Sequence, residues 1–236
     1  LTFNYALAIH LEGDCIMKKL VILMMSVIAA VAMLTAGCGG SDKADKNAEK
    51  VLRVGTEPTF APFEFQEEGS KEYTGFDMDL ARAIGKQMGY KVEIQNMGFD
   101  ALIPALNAGN IDMVAAGMSI TEERQKAVTF SDPYYTSGLI VMVNKDNTEV
   151  KSIKDLEGKR IAVQIGTTGE NKARTVKDAK VTAYNTNTEA ALELQNKGVD
   201  AVINDSPVVG YYLAQGGNKT AMTVGEVMEA EQYGLA

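Results

Sequence analysis

Asn107-Ala-Gly-Asn-Ile-Asp-Met-Val114 and Asn196-Lys-Gly-Val-Asp-Ala-Val202 read alike: a helix end, a glycine turn, an aspartate and an apolar strand. The recurrence divides the chain into two echoing halves. Before the first copy, residues 51–56 read as a buried strand. Residues 77–88 read as a helix, with Phe76, Leu80, Ile84 and Met88 at helical spacing and Gly89 as its stop. Residues 91–96 alternate through Val92 and Ile94, 101–108 form a short helix ended by Gly109, and 111–116 form the next strand. Alternation of strand and helix predicts an α/β fold with largely parallel sheets. Phe130-Ser-Asp-Pro133 breaks the pattern, 139–143 is an apolar strand, and the polar loop 144–151 marks a change of unit. The second series has strands at 160–164, 181–184 and 201–204. Gly166-Thr-Thr-Gly169 turns into one helix, 189–197 is a helix between Thr188 and Gly198, and Ser206-Pro207 opens a third that Gly216-Gly217 closes.

In open α/β sheets ligands gather at the carboxyl ends of strands. Those ends are Ala116-Gly117 in one half and Asn204-Asp205 in the other. Just beyond the first, Thr121 is a good helix N-cap and Glu122 and Glu123 suit the positive end of the dipole, whereas Arg124 has the wrong sign. The small residues Ala115-Ala116-Gly117 let backbone groups and the Ser119 hydroxyl approach a ligand. A guanidinium fork, free helix N–H groups and a hydroxyl together make a carboxylate seat. The alternative is a solvated ion pair of Arg124 with Asp132 or Glu122, worth little. Arg124 facing Asp205 across two halves suits a zwitterion such as an α-amino acid.

Composition narrows the partners. Acidic residues outnumber basic ones 31 to 23 and the net charge is −8, which argues against nucleic acid. Met17-Lys-Lys19 followed by the uncharged run 20–36 has the form of an export signal. It ends in Leu34-Thr-Ala-Gly-Cys38, which resembles the lipobox of bacterial lipoproteins, with Thr35 where that pattern prefers leucine. The expectation is a signal peptide over 17–37, lipidation at Cys38 and a polar tether over 38–50; a plain membrane helix is the alternative. Met17 reads as the start, leaving 1–16 as an upstream extension that holds His10 and Cys15. The body then carries no histidine and a single cysteine, so no intrachain disulfide, no histidine- or cysteine-based catalysis and no metal site is expected. No phosphate-cradling GxxxxGK or GxGxxG occurs, and no cofactor is expected.

Gly55-Thr-Glu-Pro-Thr-Phe-Ala-Pro-Phe-Glu-Phe65, Gly75-Phe-Asp-Met-Asp-Leu80, Ile103-Pro-Ala-Leu106, Ser119 to Arg124 and Phe130-Ser-Asp-Pro-Tyr-Tyr135 resemble the polar amino-acid-binding proteins of bacterial ABC importers. The resemblance covers residues 51–236. It implies a two-lobed, type II periplasmic-binding-protein-like α/β fold, each lobe a mostly parallel sheet flanked by helices, joined by a two-strand hinge. Lobe 1 would span 51–137, lobe 2 138–228 and the hinge return 229–236, with the segment that completes lobe 1 missing. By the same resemblance Arg124 pairs with the ligand carboxylate, helped by Ser119 and by Thr167 beside Thr168. Asp205 takes the ammonium with the Gly117 carbonyl next to Ala116. Phe60 and Phe99 wall the side chain, Glu57 stands where the family usually has aspartate, and Gln164 and Asn204 tune selectivity.

Each residue also has a plainer reading: Phe60 and Phe99 as core aromatics, Glu57 as a loop charge, Asp205 as a helix cap, Thr167 as turn chemistry. The implied function is capture of glutamine or of arginine, lysine or histidine, with glutamate and aspartate disfavoured by Glu57. Delivery would be to a permease and its ATPase, by a monomer lipid-anchored outside the cytoplasm. The alternative is an enzyme of the same fold, a cyclohexadienyl dehydratase-like lyase, with Glu57 and Asp205 as acid and base.

Overall fold

A computed structural model describes residues 49–236; the expected signal peptide, Cys38 and most of the tether lie outside the described residues. In the first lobe β1 (Val51–Thr56) runs between β5 (Lys91–Asn96) and β6 (Met113–Val114), parallel to both. Between β1 and β5 lie a small antiparallel ribbon, β2 (Thr59–Phe60), β3 (Glu64–Gln66) and β4 (Tyr73–Thr74), and the helix α1 (Phe76–Met88). Gly89 ends α1 in the left-handed conformation, φ 70°, its N–H reaching the carbonyls of Gly85 and Lys86. The helix buries Met78 and Ala81 against Leu52, Val54 and Ala115.

The second lobe is a five-stranded sheet in the order β11-β7-β10-β8-β9. Here β7 is Tyr135–Asn144, β8 Arg160–Gln164, β9 Lys180–Tyr184, β10 Ala201–Asp205 and β11 Ala221–Tyr233. β8 pairs in parallel with β9 and β10, while β7 is antiparallel to β10 and β11. Apolar residues on both faces of this sheet build two core layers, one around Val141, Ile161 and Ile203, the other around Met142, Ala162 and Val202. β7 and β11 also form the two-strand connection between lobes. Their far ends pair Tyr135 with Tyr233, and the chain then returns to the first sheet, where the Val114 N–H donates to the Ala236 carbonyl at 2.7 Å.

The aspartate of the repeated motif makes the same clamp in both lobes. Asp112 accepts from the Arg53 backbone N–H and Nε at 2.9 Å each and from Nη2 at 2.7 Å. Asp200 accepts from the same three groups of Arg160 at 2.8, 3.2 and 2.7 Å. The forked geometry pins the turn before one strand to the start of its neighbour.

Three local expectations change. The strand at 111–116 shortens to β6, although the Ala115 N–H still donates to the Gly55 carbonyl of β1 at 3.1 Å, and Gly117, at φ +51°, turns the chain toward the cavity it lines. After α2 (Leu102–Asn107), the helix around Arg124, α3 (Glu122–Gln125), is a single turn, so its dipole is slight. The helix expected to begin behind Thr188 is α5 (Asn187–Gln195), capped by Thr186. The Thr186 hydroxyl accepts from the Glu189 N–H at 3.1 Å and the Glu189 carboxylate from the Thr186 N–H at 3.0 Å, a capping box that Thr188, one residue before Glu189, cannot form.

Candidate functional site

The carboxyl ends of β1, β6, β8 and β10 all point to the space between the lobes. Glu57, Phe60, Glu64, Phe99, Gly117, Ser119, Arg124, Gln164, Thr167, Thr168 and Asp205 line one cavity there. Its clear space is about 10 Å³, room for a single water. Admitting an amino acid therefore requires the lobes to part, a hinge motion that the two strands allow.

Two polar contacts cross the cleft at the lips of this cavity. Arg124 donates through Nη1 to the Ser119 carbonyl at 2.7 Å and through Nη2 to the Gly166 carbonyl of the other lobe at 3.0 Å. Its guanidinium lies over the Phe99 ring at 5.2 Å, a cation–π contact. The alternative ion pairs with Asp132 or Glu122 are not formed among the described residues. Burial holds the Arg124 pKa below the usual guanidinium value, opposed by the charges of Glu231, Asp205 and Glu123. The second contact joins Glu57 to Gln164: Oε2 of Glu57 accepts from Gln164 Nε2 at 2.8 Å and from the Thr59 hydroxyl at 2.7 Å. Glu57 is thus a buried acid, not a solvated loop charge, and burial raises its pKa against these hydrogen bonds. Gln164 in turn is held by Asn187, whose amide donates to its Oε1 at 2.6 Å.

Asp205 occupies the N-cap position of α6 (Ser206–Ala214), yet its side chain caps nothing. Its Oδ1 instead accepts from the Tyr233 hydroxyl at 2.7 Å and from the Ser137 hydroxyl at 3.1 Å. Burial pushes its pKa up to about 7, with the Tyr233 and Ser137 hydrogen bonds and Arg124 drawing it down and Glu231 pushing it up. Phe60 serves two roles, lining the cavity and packing on Phe63, Val208 and Tyr233 in the core. Gly117 has no alternative at its position: φ is +51° and a Cβ would lie 2.5 Å from Phe60 Cε1.

Two expected residues stand elsewhere. Ala116 is buried in the cluster of Leu102, Ile111, Val114 and Met118, and Asn204 lines a separate groove with Leu192, Val208 and Tyr212. The Thr167 hydroxyl is committed to its turn, donating to the Gln164 carbonyl at 2.7 Å and accepting from the Glu170 N–H at 3.1 Å as cap of α4 (Thr168–Arg174). Thr168 is the threonine whose hydroxyl points across the cleft.

Sequence reasoning missed Glu64, Asp77, Tyr134, Tyr233 and Glu231. Glu64 and Asp77 are almost fully buried, and Glu64 Oε2 and Asp77 Oδ1 have no hydrogen-bond partner among the described residues. Burial raises both pKa values, that of Glu64 well above its ordinary value, with the neighbouring charges of Asp77 and Glu57 adding to the rise. Asp77 Oδ2 accepts from the Gly117 N–H at 2.8 Å and the Tyr134 hydroxyl at 2.7 Å, fixing the backbone that faces the cavity. The available signal was Phe63-Glu-Phe65, a charge set between two aromatics.

The model of the bacterial extracellular solute-binding proteins, family 3, matches residues 52–209. A probable histidine-binding protein of Campylobacter jejuni is 40% identical over 171 residues, 72% of this chain and 66% of the relative. The arginine-binding extracellular protein ArtP of Bacillus subtilis is 36% identical over 200 residues, 83% of this chain and 76% of the relative. Among solved structures, an ancestral arginine-binding protein bound to arginine is 46% identical with a TM-score of 0.76, covering 80% of this chain and 84% of that one.

Proposed function

This chain belongs to the bacterial extracellular solute-binding proteins, family 3, and from that membership we propose that it captures a cationic L-amino acid, arginine foremost, between its lobes for an ABC importer. The observation that carries this reading is one cavity with a guanidinium at one end and an excess of buried carboxyls around it. Arg124 suits an α-carboxylate and Asp205 an α-ammonium, leaving Glu57 and Gln164 to meet the side chain. Glu57 and Asp205 against the single base Arg124 favour a ligand of net positive charge. Relatives named for arginine and histidine fit this balance. An enzyme is disfavoured because such relatives are named as binding proteins.

Delivery to a permease and its ATPase, action as a single chain, and anchorage through a lipid on Cys38 complete the proposal. Titration calorimetry of the full chain against the common L-amino acids tests the ligand: saturable binding among arginine, lysine, histidine and glutamine is expected, with a cationic ligand tightest. Tighter binding of glutamate than of all four would refute the role given to Glu57. Labelling with a fatty-acid analogue that persists in Cys38→Ala would refute the anchor.

A further inference from the structure

The hydroxyls of Ser119 and Thr168 stand on opposite lobes and line the cavity, and both also line a second groove of about 690 Å³ on its far side. They form the partition between the two spaces. Glu231 of β11 lies in that groove and not in the cavity. Its Oε2 accepts from Ser119 Oγ at 2.6 Å and from Thr168 Oγ1 at 2.8 Å. Register shifts in the β11–β7 pairing fall between Val224 and Met228 and between Met228 and Ala230, and Glu229 has φ +24°. Such bulges re-aim the side chains that follow them, and here they bring Glu231 opposite Ser137 and onto the partition.

We propose that Glu231 is a positioning residue that turns the Ser119 and Thr168 hydroxyls into hydrogen-bond acceptors toward the ligand. A hydroxyl has one proton and two lone pairs. Both protons are drawn outward to one carboxylate oxygen, so each hydroxyl offers only lone pairs to the cavity. The expectation that Ser119 helps to hold the ligand carboxylate is thereby reversed: these oxygens receive the α-ammonium beside Asp205, and the carboxylate is left to Arg124 and backbone N–H groups. Because one oxygen of Glu231 joins both lobes, the hydroxyls are set when the cleft shuts.

This inference rests on the amino-acid-binding reading, and the two fail differently. L-arginine and 5-guanidinopentanoate, which lacks the ammonium, are titrated into the full chain, E231L and E231Q. Wild-type protein that binds no L-amino acid overturns the binding reading and this proposal with it. Where wild type binds, E231L frees the hydroxyl protons to turn inward toward the carboxylate. Its preference for L-arginine over the analogue is then expected to narrow about tenfold, the worth of one hydrogen bond to a charged group. E231Q keeps an acceptor oxygen for both hydroxyls and is expected to keep the wild-type preference, which loss of charge or of packing alone would not spare. An unchanged preference in E231L, or equal narrowing in E231Q, overturns the proposal. Should E231L fail to fold by circular dichroism, Ser119→Ala is expected to narrow the preference similarly, and an unchanged ratio there overturns it.

Discussion

Lowering the pH from 8 to 5 is expected to weaken arginine binding about a hundredfold, because Asp205 must be ionised to receive an ammonium. Its native pKa of about 7 arises from burial, against the stabilising hydrogen bonds of Tyr233 and Ser137. If only the ionised form binds, the apparent Kd scales with 1 + 10^(pKa − pH), close to one at pH 8 and about 100 at pH 5. Arginine itself keeps its charges across this range, so the titration belongs to the protein. The raised pKa of Glu57, which burial causes, acts in the same direction.

Without ligand the sign is opposite. A carboxyl whose pKa rises from 3.8 to about 7 on folding binds more protons when native, so unliganded stability falls as pH rises through that window, by at most about 4 kcal/mol. Calorimetry at pH 5 to 8, repeated in buffers of different ionisation enthalpy, reads both the Kd and the protons released. Close to one proton or more leaving per arginine below pH 6 is expected, and Asp205→Asn should remove most of that release while binding weakly throughout. A flat Kd between pH 5 and 8 with no proton release refutes the placement of the ammonium at Asp205.

Arg124→Ala should weaken L-arginine binding at least about a hundredfold, since a charge-assisted fork is worth about 3 kcal/mol or more; an unchanged Kd would remove the carboxylate assignment. Tyr233→Phe deletes the hydroxyl that donates to Asp205 at 2.7 Å, so the pH midpoint of binding should rise by about one unit, and a midpoint that stays or falls contradicts the wiring. Gly117→Ala places a Cβ against Phe60 in a left-handed backbone and should cost about 1–3 kcal/mol, read as a lower Tm, with no drop showing that Phe60 yields freely.

How far the sequence could be read depended on whether the signal was local. β1, β5 and β8 were legible to the residue because short apolar alternation bounded by polar turns specifies a strand without help from elsewhere. β6 was overread, since Ala115 and Ala116 are as apolar as strand residues, whereas the chain just after them is fixed by the Gly117 N–H donating to Asp77, forty residues away in the chain. The site divides the same way. Arg124 could be picked out because it breaks a rule within its own turn, and Asp205 because it ends an apolar strand. Glu64, Asp77 and Glu231 break no local rule: each is an ordinary acid in its own segment and acquires meaning only from partners brought by folding.

The single-turn helix at Glu122–Gln125 shows where local reasoning reached the right residue through an incomplete cause. The Arg124 N–H is already taken by the Thr121 hydroxyl at 3.2 Å, and the Arg124 side chain turns away from its helix to bridge Ser119 and Gly166. What makes Arg124 suitable for a carboxylate is therefore less the helix start than a guanidinium held over the Phe99 ring, spanning two lobes through neutral carbonyls that cannot cancel its charge. A ligand carboxylate offers that fork stronger acceptors than the carbonyls do, so the same side chain that closes the cleft gives the ligand its reason to enter it.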